Sequence, residues 1–277
     1  MEGALKVPAD VGALCDELVA ETAELVRLLV GLDEPAWSAP TPAAGWSVRD
    51  QLSHLAYFDE ATTLAVTAPE MFRARRSEAG ADIDAFTERI AEQFRALPGD
   101  ELLAWFQRAR AEMVTAFRSA ELSRRVPWYG PDMSLASAVT ARIMETWAHG
   151  QDVADACGAT RRVTPALRQV AHLGVRTLPN SFKTAGRAVP AEPVAVELTA
   201  PSGEVWSWGD GDPADSVRGP ALDFCLVVTQ RRHVDDTDLV VSGPVASEWM
   251  LIAQAYAGPA GSGRRPGDVW EPGGAER

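Results

Sequence analysis

The sequence predicts an α+β protein of two domains: a four-helix bundle over residues 1–160, then a smaller α+β domain over 161–258. Three observations lead there. Apolar residues recur with a helical period up to about residue 160. Beyond it, Val-rich alternating stretches interleave with helical ones, which points to mixed α and β structure. The chain has 277 residues, 46% hydrophobic and 23% charged, in the ordinary globular range and long enough to bury a substantial core.

The first segment, "PADVGALCDELVAETAELVRLLVGL", places Val11, Leu14, Leu18, Val19, Leu25, Leu28 and Leu29 close to one helix face, with Pro8 to Asp10 as its start. "TPAAGW" reads as a loop. Ser47 then stands as an N-cap with Asp50 three residues on, a variant of the capping box. The helix it opens, "SVRDQLSHLAYFDEATTLAVTA", stops before Pro69. "DAFTERIAEQFRAL" is helical and is broken at Pro98-Gly99; "DELLAWFQRARAEMVTAFRSA" follows with the same period. "VPWYGPDM" is an aromatic-rich Pro/Gly loop. Ser134 opens a long helix, "SLASAVTARIMETWAHGQDVADACG", closed by Gly158. Four substantial helices joined by loops define a bundle. In the second half "TPALRQVAHLGVRTL" is a helix. "PVAVELTAP" and "VWSWGDG" form a hairpin turning at Ser202-Gly203. "PALDFCLVVTQRR" is apolar and long enough for a helix, "DTDLVVSG" is a strand, and "PVASEWMLIAQAYAG" is a final helix. The Gly/Pro-rich residues 259–277 read as a flexible tail.

The formal net charge of −13 repels nucleic acid and anionic membranes, so neither is an expected partner. Cys15, Cys157 and Cys225 are odd in number and form no CxxC pair, which argues against a disulfide framework and fits a reducing cytoplasm. The N-terminus lacks the basic region and unbroken apolar core of a signal peptide. No apolar run approaches the roughly 20 residues of a membrane span. Oligomeric state is left open.

Only four histidines are present, and two carry the chemical argument. In "METWAHGQDVADA", Glu145 and His149 are four residues apart on a helix and so share a face. His54, in "DQLSHLAYF", can meet them across the bundle seam, as metal ligands do in other bundles. Two imidazoles and a carboxylate hold a divalent ion with positions left open, a set that suits zinc or non-haem iron. By spacing alone, a solvated ion pair on the outer face explains Glu145 and His149 as well.

The residues around these three add a resemblance. "GWSVRDQLSHLAYFDE" resembles the GW-(S/T)-V-R-D-x-x-x-H-L segment of the mycothiol-dependent maleylpyruvate isomerase family, which belongs to the DinB-like metalloenzymes. "ARIMETWAHGQDVADA" resembles that family's second segment, an E-x-x-x-H-x-x-D helix. "ALDFCLVVTQRR" with the following strand and helix is similar to its sterol-carrier-like C-terminal domain, so the resemblance covers roughly residues 10 to 257. It implies a DinB-like bundle in which His54, Glu145 and His149 bind a divalent metal, zinc foremost, with iron or nickel as alternatives. It further implies an isomerase or S-transferase that uses mycothiol on a small organic acid or electrophile. A thiol-independent hydrolase, cyclase or lyase using the same metal stands as the alternative, and a metal-containing binding protein as a third reading.

For Arg231 and Arg232, in "RRH", the default role is to neutralise a helix C-terminus. The resemblance adds a functional one, in which one of them holds a substrate carboxylate through its two-pronged guanidinium. Asp152 and Asp50 are candidates to orient an imidazole, with a helix cap as the competing role of Asp50. Arg49 reads as an ion-pair residue, Trp46 as packing at the helix entry, and His172 as a packing or surface residue. Trp128 and Tyr129 either line the cleft mouth or form a buried aromatic plug.

Overall fold

The computed structural model describes residues 10–80, 82–209, 214–268 and 270. The N-terminal half is helical: α1 (Val11–Leu29), α2 (Glu34–Trp37), α3 (Val48–Thr67), α4 (Pro69–Arg76), α5 (Ile83–Phe94), α6 (Gly99–Ser119) and α7 (Leu135–Ala156). α1 and α3 each pack against both α6 and α7, which closes a four-helix bundle. α5 lies outside it against α3. Helix starts follow local chemistry. The Asp10 carboxylate accepts from the Gly12 and Ala13 amides at the head of α1. Ser47 gives both its N–H and its hydroxyl proton to Asp50 Oδ2 at the head of α3, so Asp50 serves the cap. α4 was not anticipated; the chain turns at Ala68 and restarts with Pro69 in the first helical turn, where a missing N–H costs nothing. Residues of the "VPWYGPDM" loop are flanked by a small antiparallel pair, β1 (Arg125–Val126) with β2 (Met133–Ser134).

α8 (Ala166–Arg176) and α9 (Leu178–Thr184) lead into a four-stranded sheet of order β4-β3-β5-β6, formed by β3 (Val194–Thr199), β4 (Val205–Trp208), β5 (Asp215–Pro220) and β6 (Val240–Ser242). The expected hairpin is present: β3 and β4 are antiparallel, and Gly203, at φ +86°, donates its N–H to Ala200 in the turn. Residues 210–213 lie outside the described residues. β5, "DSVRGP", was not anticipated. It pairs parallel with β3 and antiparallel with β6, and its side chains do not alternate apolar with polar as a one-sided strand would.

α10 (Ala221–Val228) is shorter than the apolar run predicted. Gln230 adopts φ +60°, and the Arg231 and Arg232 amides both turn back to the Leu226 carbonyl. The two arginines therefore stand beyond the helix, in its terminating turn. α11 (Pro244–Ile252) also ends early: the Ala255 amide bonds to Val228 O and the Gln254 amide to Ser181 Oγ, so the chain crosses α10 instead of continuing as a helix. In the segment read as a tail, Gly261 N–H donates to Gln254, Arg264 Nε to Gln230 O, and Gly267 N–H to Asp236. Residues 1–9 and 271–277 lie outside the described residues.

One hydrophobic cluster runs from Leu14 and Leu18 through Trp147 and Val170 to Val196, Phe224 and Trp249, so bundle and sheet share a continuous interior. Gly174 lets α8 lie on α10: a Cβ there would stand 2.7 Å from Val228 Cγ2. No helix among the described residues is long and apolar enough to cross a membrane.

Candidate metal centre

α3 and α7 run side by side in the bundle and bring together the three residues expected at the metal. One ligand atom from each of His54, Glu145 and His149 lies within 4.8 Å of the others. Glu145 Oε2 is 3.2 Å from His149 Nε2 and 3.7 Å from His54 Nε2, and the two imidazole centroids are 4.5 Å apart. Their side chains keep 14%, 23% and 12% of their surface for His54, Glu145 and His149. The group is sheltered yet reachable from outside, which argues against a freely solvated ion pair.

The electrostatics suit a cation. Burial, reinforced by the charge of His149, pulls the His54 pKa down to about 4, so that imidazole is neutral at ordinary pH. Burial by itself would push the Glu145 carboxyl up, but the hydrogen bond with His149 and the nearby His54 imidazole outweigh it and hold the group well below the usual carboxylate range. A neutral imidazole and an ionised carboxylate are the protonation states that metal binding demands. The donor set and its convergence therefore fit a divalent ion.

The residues around these three divide differently from the expectation. Asp152 does not reach an imidazole. Its Oδ2 accepts from Arg231 at 2.7 Å, and the nitrogen of His149 remote from Glu145, Nδ1, instead meets Gln51 Oε1 at 2.5 Å. Trp46 does more than pack at the helix entry: its ring lies over His149, with centroids 6.0 Å apart and planes 16° apart, and stands 5.3 Å from the His54 ring. Phe58, one turn after His54, closes the other side at 4.6 Å. Behind it, half-buried Trp128 and Tyr129 pack on Phe58 and Phe72 as an aromatic plug. Arg49 is buried, paired with Glu34 and donating to the Arg95 and Leu97 carbonyls. His172 accepts a hydrogen bond from Trp208 and lies apart from the centre.

Arg231 and Arg232 both reach α7. Arg231 pairs with Asp152 and bonds Thr229 O, its Nε is buried without a partner among the described residues, and it is close enough to Glu145 to feel that charge. Arg232 makes two bonds to Asp155, at 2.9 and 3.0 Å. One turn below the His–Glu–His cluster, buried Asp59 is held by Arg110 and Arg142 at 2.7 and 2.9 Å. Sequence reading missed Gln51 and this triad. The available signal was a polar residue inside an apolar stripe: Asp59 continues the line of Leu52 and Leu55, and Arg142 that of Leu135 and Ala138.

Fold and centre together define a helical-bundle protein with a His–Glu–His cluster, joined to a small α+β unit. Residues 18–154 match the family model described as the mycothiol maleylpyruvate isomerase N-terminal domain, and the chain belongs to the mycothiol-dependent maleylpyruvate isomerase family. Residues 190–242 match a second model, described as wyosine base formation. Uncharacterised proteins from two strains of Mycobacterium tuberculosis are 43% identical over 256 residues, 92% of this chain and 100% of theirs. The crystal structure of the mycothiol-dependent maleylpyruvate isomerase superposes with a TM-score of 0.57 at 18% identity, over 80% of this chain and 90% of that one. That of a histidine-to-alanine mutant of it gives 0.59 at 18%, over 86% and 96%. These two establish likeness of fold.

Proposed function

We propose that the protein is a divalent-metal enzyme, thiol-dependent as its family name implies, that isomerises a small organic acid or transfers the thiol to an electrophile, with mycothiol as the thiol. The observation that carries this reading is the meeting of His54, Glu145 and His149 at one sheltered but reachable point. A zinc ion held there would act as a Lewis acid and would stabilise a bound sulfur as the nucleophilic thiolate. The protein's own residues do the rest. His54 offers an uncharged nitrogen and Glu145 one negative charge, so the site compensates only part of a divalent charge and favours an anionic incomer. Trp46 and Phe58 wall the two sides and keep water from the ring faces.

Arg231 is the residue we assign to holding a carboxylate. Its field reaches Glu145 and its Nε–H has no partner among the described residues; its Nη2 is held by Asp152 as Arg232 is held by Asp155, so nearness to Glu145 is what separates the two. The three free cysteines accord with a cytoplasmic setting.

Metal analysis of the purified protein beside His54→Ala tests the centre; equal metal in both removes the assignment. Calorimetric titration of the metal-loaded protein with mycothiol tests the thiol, and no heat would favour water-based chemistry at the same centre. Arg231→Lys is expected to raise KM for a carboxylate substrate while Arg232→Lys leaves it unchanged; the reverse pattern exchanges their roles.

A further inference from the structure

We infer that Gln230 is a positioning residue, held in a left-handed turn by the C-terminal segment from Ala253 to Arg264, and that this turn aims Arg231 at α7. The inference rests on reading Arg231 as the carboxylate holder, and it deepens that reading by naming what sets the arginine in place. α10 ends in a pair of back-bonds: the Gln230 N–H donates to Val227 O at 2.9 Å and the Arg231 N–H to Leu226 O at 2.7 Å. The residue that turns left-handed in such an ending is usually glycine, because a β-carbon there is crowded by the backbone. Gln230, at φ +60°, is instead the one non-glycine residue with positive φ among the described residues. An outlier of this kind persists only where its surroundings hold it, and such outliers gather at functional sites.

What holds it is the chain after α11. Gln230 Nε2 donates to Ala253 O at 3.1 Å, and its Oε1 accepts from the Tyr256 hydroxyl at 2.5 Å. Its carbonyl accepts from Arg264 Nε at 3.2 Å. Glycine would make the turn but neither side-chain bond. Gly261 packs so closely that a Cβ on it would run into both Gln230 Oε1 and the Tyr256 hydroxyl. The segment is also fixed independently of Gln230. The N–H of buried Gln254 donates to Ser181 Oγ, its Nε2 donates to Pro259 O, and its Oε1 accepts from the Gly261 N–H, each at 3.0 Å. Tyr256 and Gly261 are thus set where Gln230 meets them. Arg231, the next residue, leaves the turn with Nη1 on Thr229 O at 2.6 Å and Nη2 on Asp152 at 2.7 Å; its Nε–H has no partner among the described residues. A single peptide joins Gln230 to Arg231, so releasing the Gln230 side chain loosens the frame from which that Nε–H is presented. Tyr256 feels the charges of both Arg231 and Glu145, which puts the clamp beside the cluster.

The test uses full-length 15N-labelled protein and reads the exchange of arginine Nε–H protons with water by NMR. The Arg231 signal is assigned by its loss in Arg231→Lys. Tyr256→Phe removes one bond and is expected to speed Arg231 exchange by about 2- to 10-fold; Gln230→Gly removes two and should speed it more. The Arg110 Nε–H, on buried Asp59 and outside this turn, should keep its rate. Equal acceleration at Arg110 and Arg231 would mean a general loss of stability and overturns the inference. So does unchanged Arg231 exchange in variants that circular dichroism shows to be folded. If Gln230→Gly does not fold, Tyr256→Phe decides. Titration with maleate, a small carboxylate, separates the inference from the reading beneath it. Maleate is expected to shift the Arg231 Nε–H signal in wild type and to bind Tyr256→Phe about 2- to 10-fold more weakly. Equal affinity in the two overturns the inference. A wild-type signal that maleate leaves in place, with exchange still faster in the variants, upholds the positioning role and removes the carboxylate reading instead.

Discussion

Replacing Asp59 with Asn should destabilise the protein more than any exposed ion-pair change. The Asp59 carboxylate is fully buried and takes four guanidinium contacts, from Arg110 Nε and NH2 at 2.7 and 3.3 Å and from Arg142 Nε and NH2 at 3.2 and 2.9 Å. The arginine side chains are each only 4% exposed. They are also held from the far side, Arg110 by Thr22 Oγ1 at 2.5 Å and Arg142 by Leu55 O at 3.4 Å, so neither can swing out to water. An amide of the same shape keeps the volume and removes the one negative charge between two buried cations. Breaking a buried pair in this way costs about 3–5 kcal/mol. At about 2–4 °C per kcal/mol for a chain of this size, the midpoint should fall by about 6–20 °C. Thermal unfolding followed by circular dichroism in the presence of a chelator measures this without any contribution from bound metal. The triple variant Asp59→Leu, Arg110→Met, Arg142→Met should unfold near wild type, because apolar replacement of a whole buried charge group is often neutral. A loss below about 1 kcal/mol in Asp59→Asn, the value of an exposed pair, would refute the reasoning.

Two further outcomes are expected. In metal-free protein, NMR titration should find the His54 imidazole at about 4. That lies below the ~6.5 of an unfolded histidine, so the stability tied to neutral His54 is complete above ~6.5 and is lost as pH falls towards 4; titration near 6.5 would contradict the burial argument. Gly174→Ala drives a Cβ into Val228 and should cost about 1–3 kcal/mol by overpacking; an unchanged denaturation midpoint would show that α8 and α10 part freely.

The bundle was legible because its information is local. Periodic leucines and valines, the Asp10 and Ser47 caps and the Pro69 break all act within a few residues. The Glu145–His149 pair is local in the same sense, and His54 became assignable through the segment around it. What stayed hidden is made by the fold. Gln51 and His149 come from two helices, and no spacing rule links them. β5 escaped because "DSVRGP" shows no alternation; its pairing with β3 supplies the order, and its buried Asp215 is satisfied by the Ala246 amide at the start of α11. The arginine pair was placed in a helix because "ALDFCLVVTQRR" is apolar throughout, whereas Gln230 turns left-handed and sends Arg231 and Arg232 back onto α7.

The polar residues between α3 and α7 follow an order that bears on how the centre is assembled. Along α3 from its C-terminal end come Asp59, His54 and Gln51; along α7 in chain order come Arg142, Glu145 and His149. They meet in that sequence: Asp59 with Arg142, His54 with Glu145, Gln51 with His149. Successive rungs are about a helical turn apart. The surrounding apolar stripe, with Leu52, Leu55, Ile143 and Trp147 buried near the seam, would tolerate a slide of one turn far better than the rungs do. A slide that carried Asp59 onto Glu145 would bring two carboxylates together and leave Arg142 unpaired, each a cost of several kcal/mol in a buried seam. The buried charges therefore do for register what the apolar stripe cannot, and the only register in which every rung is paired is the one that brings His54, Glu145 and His149 to a single point.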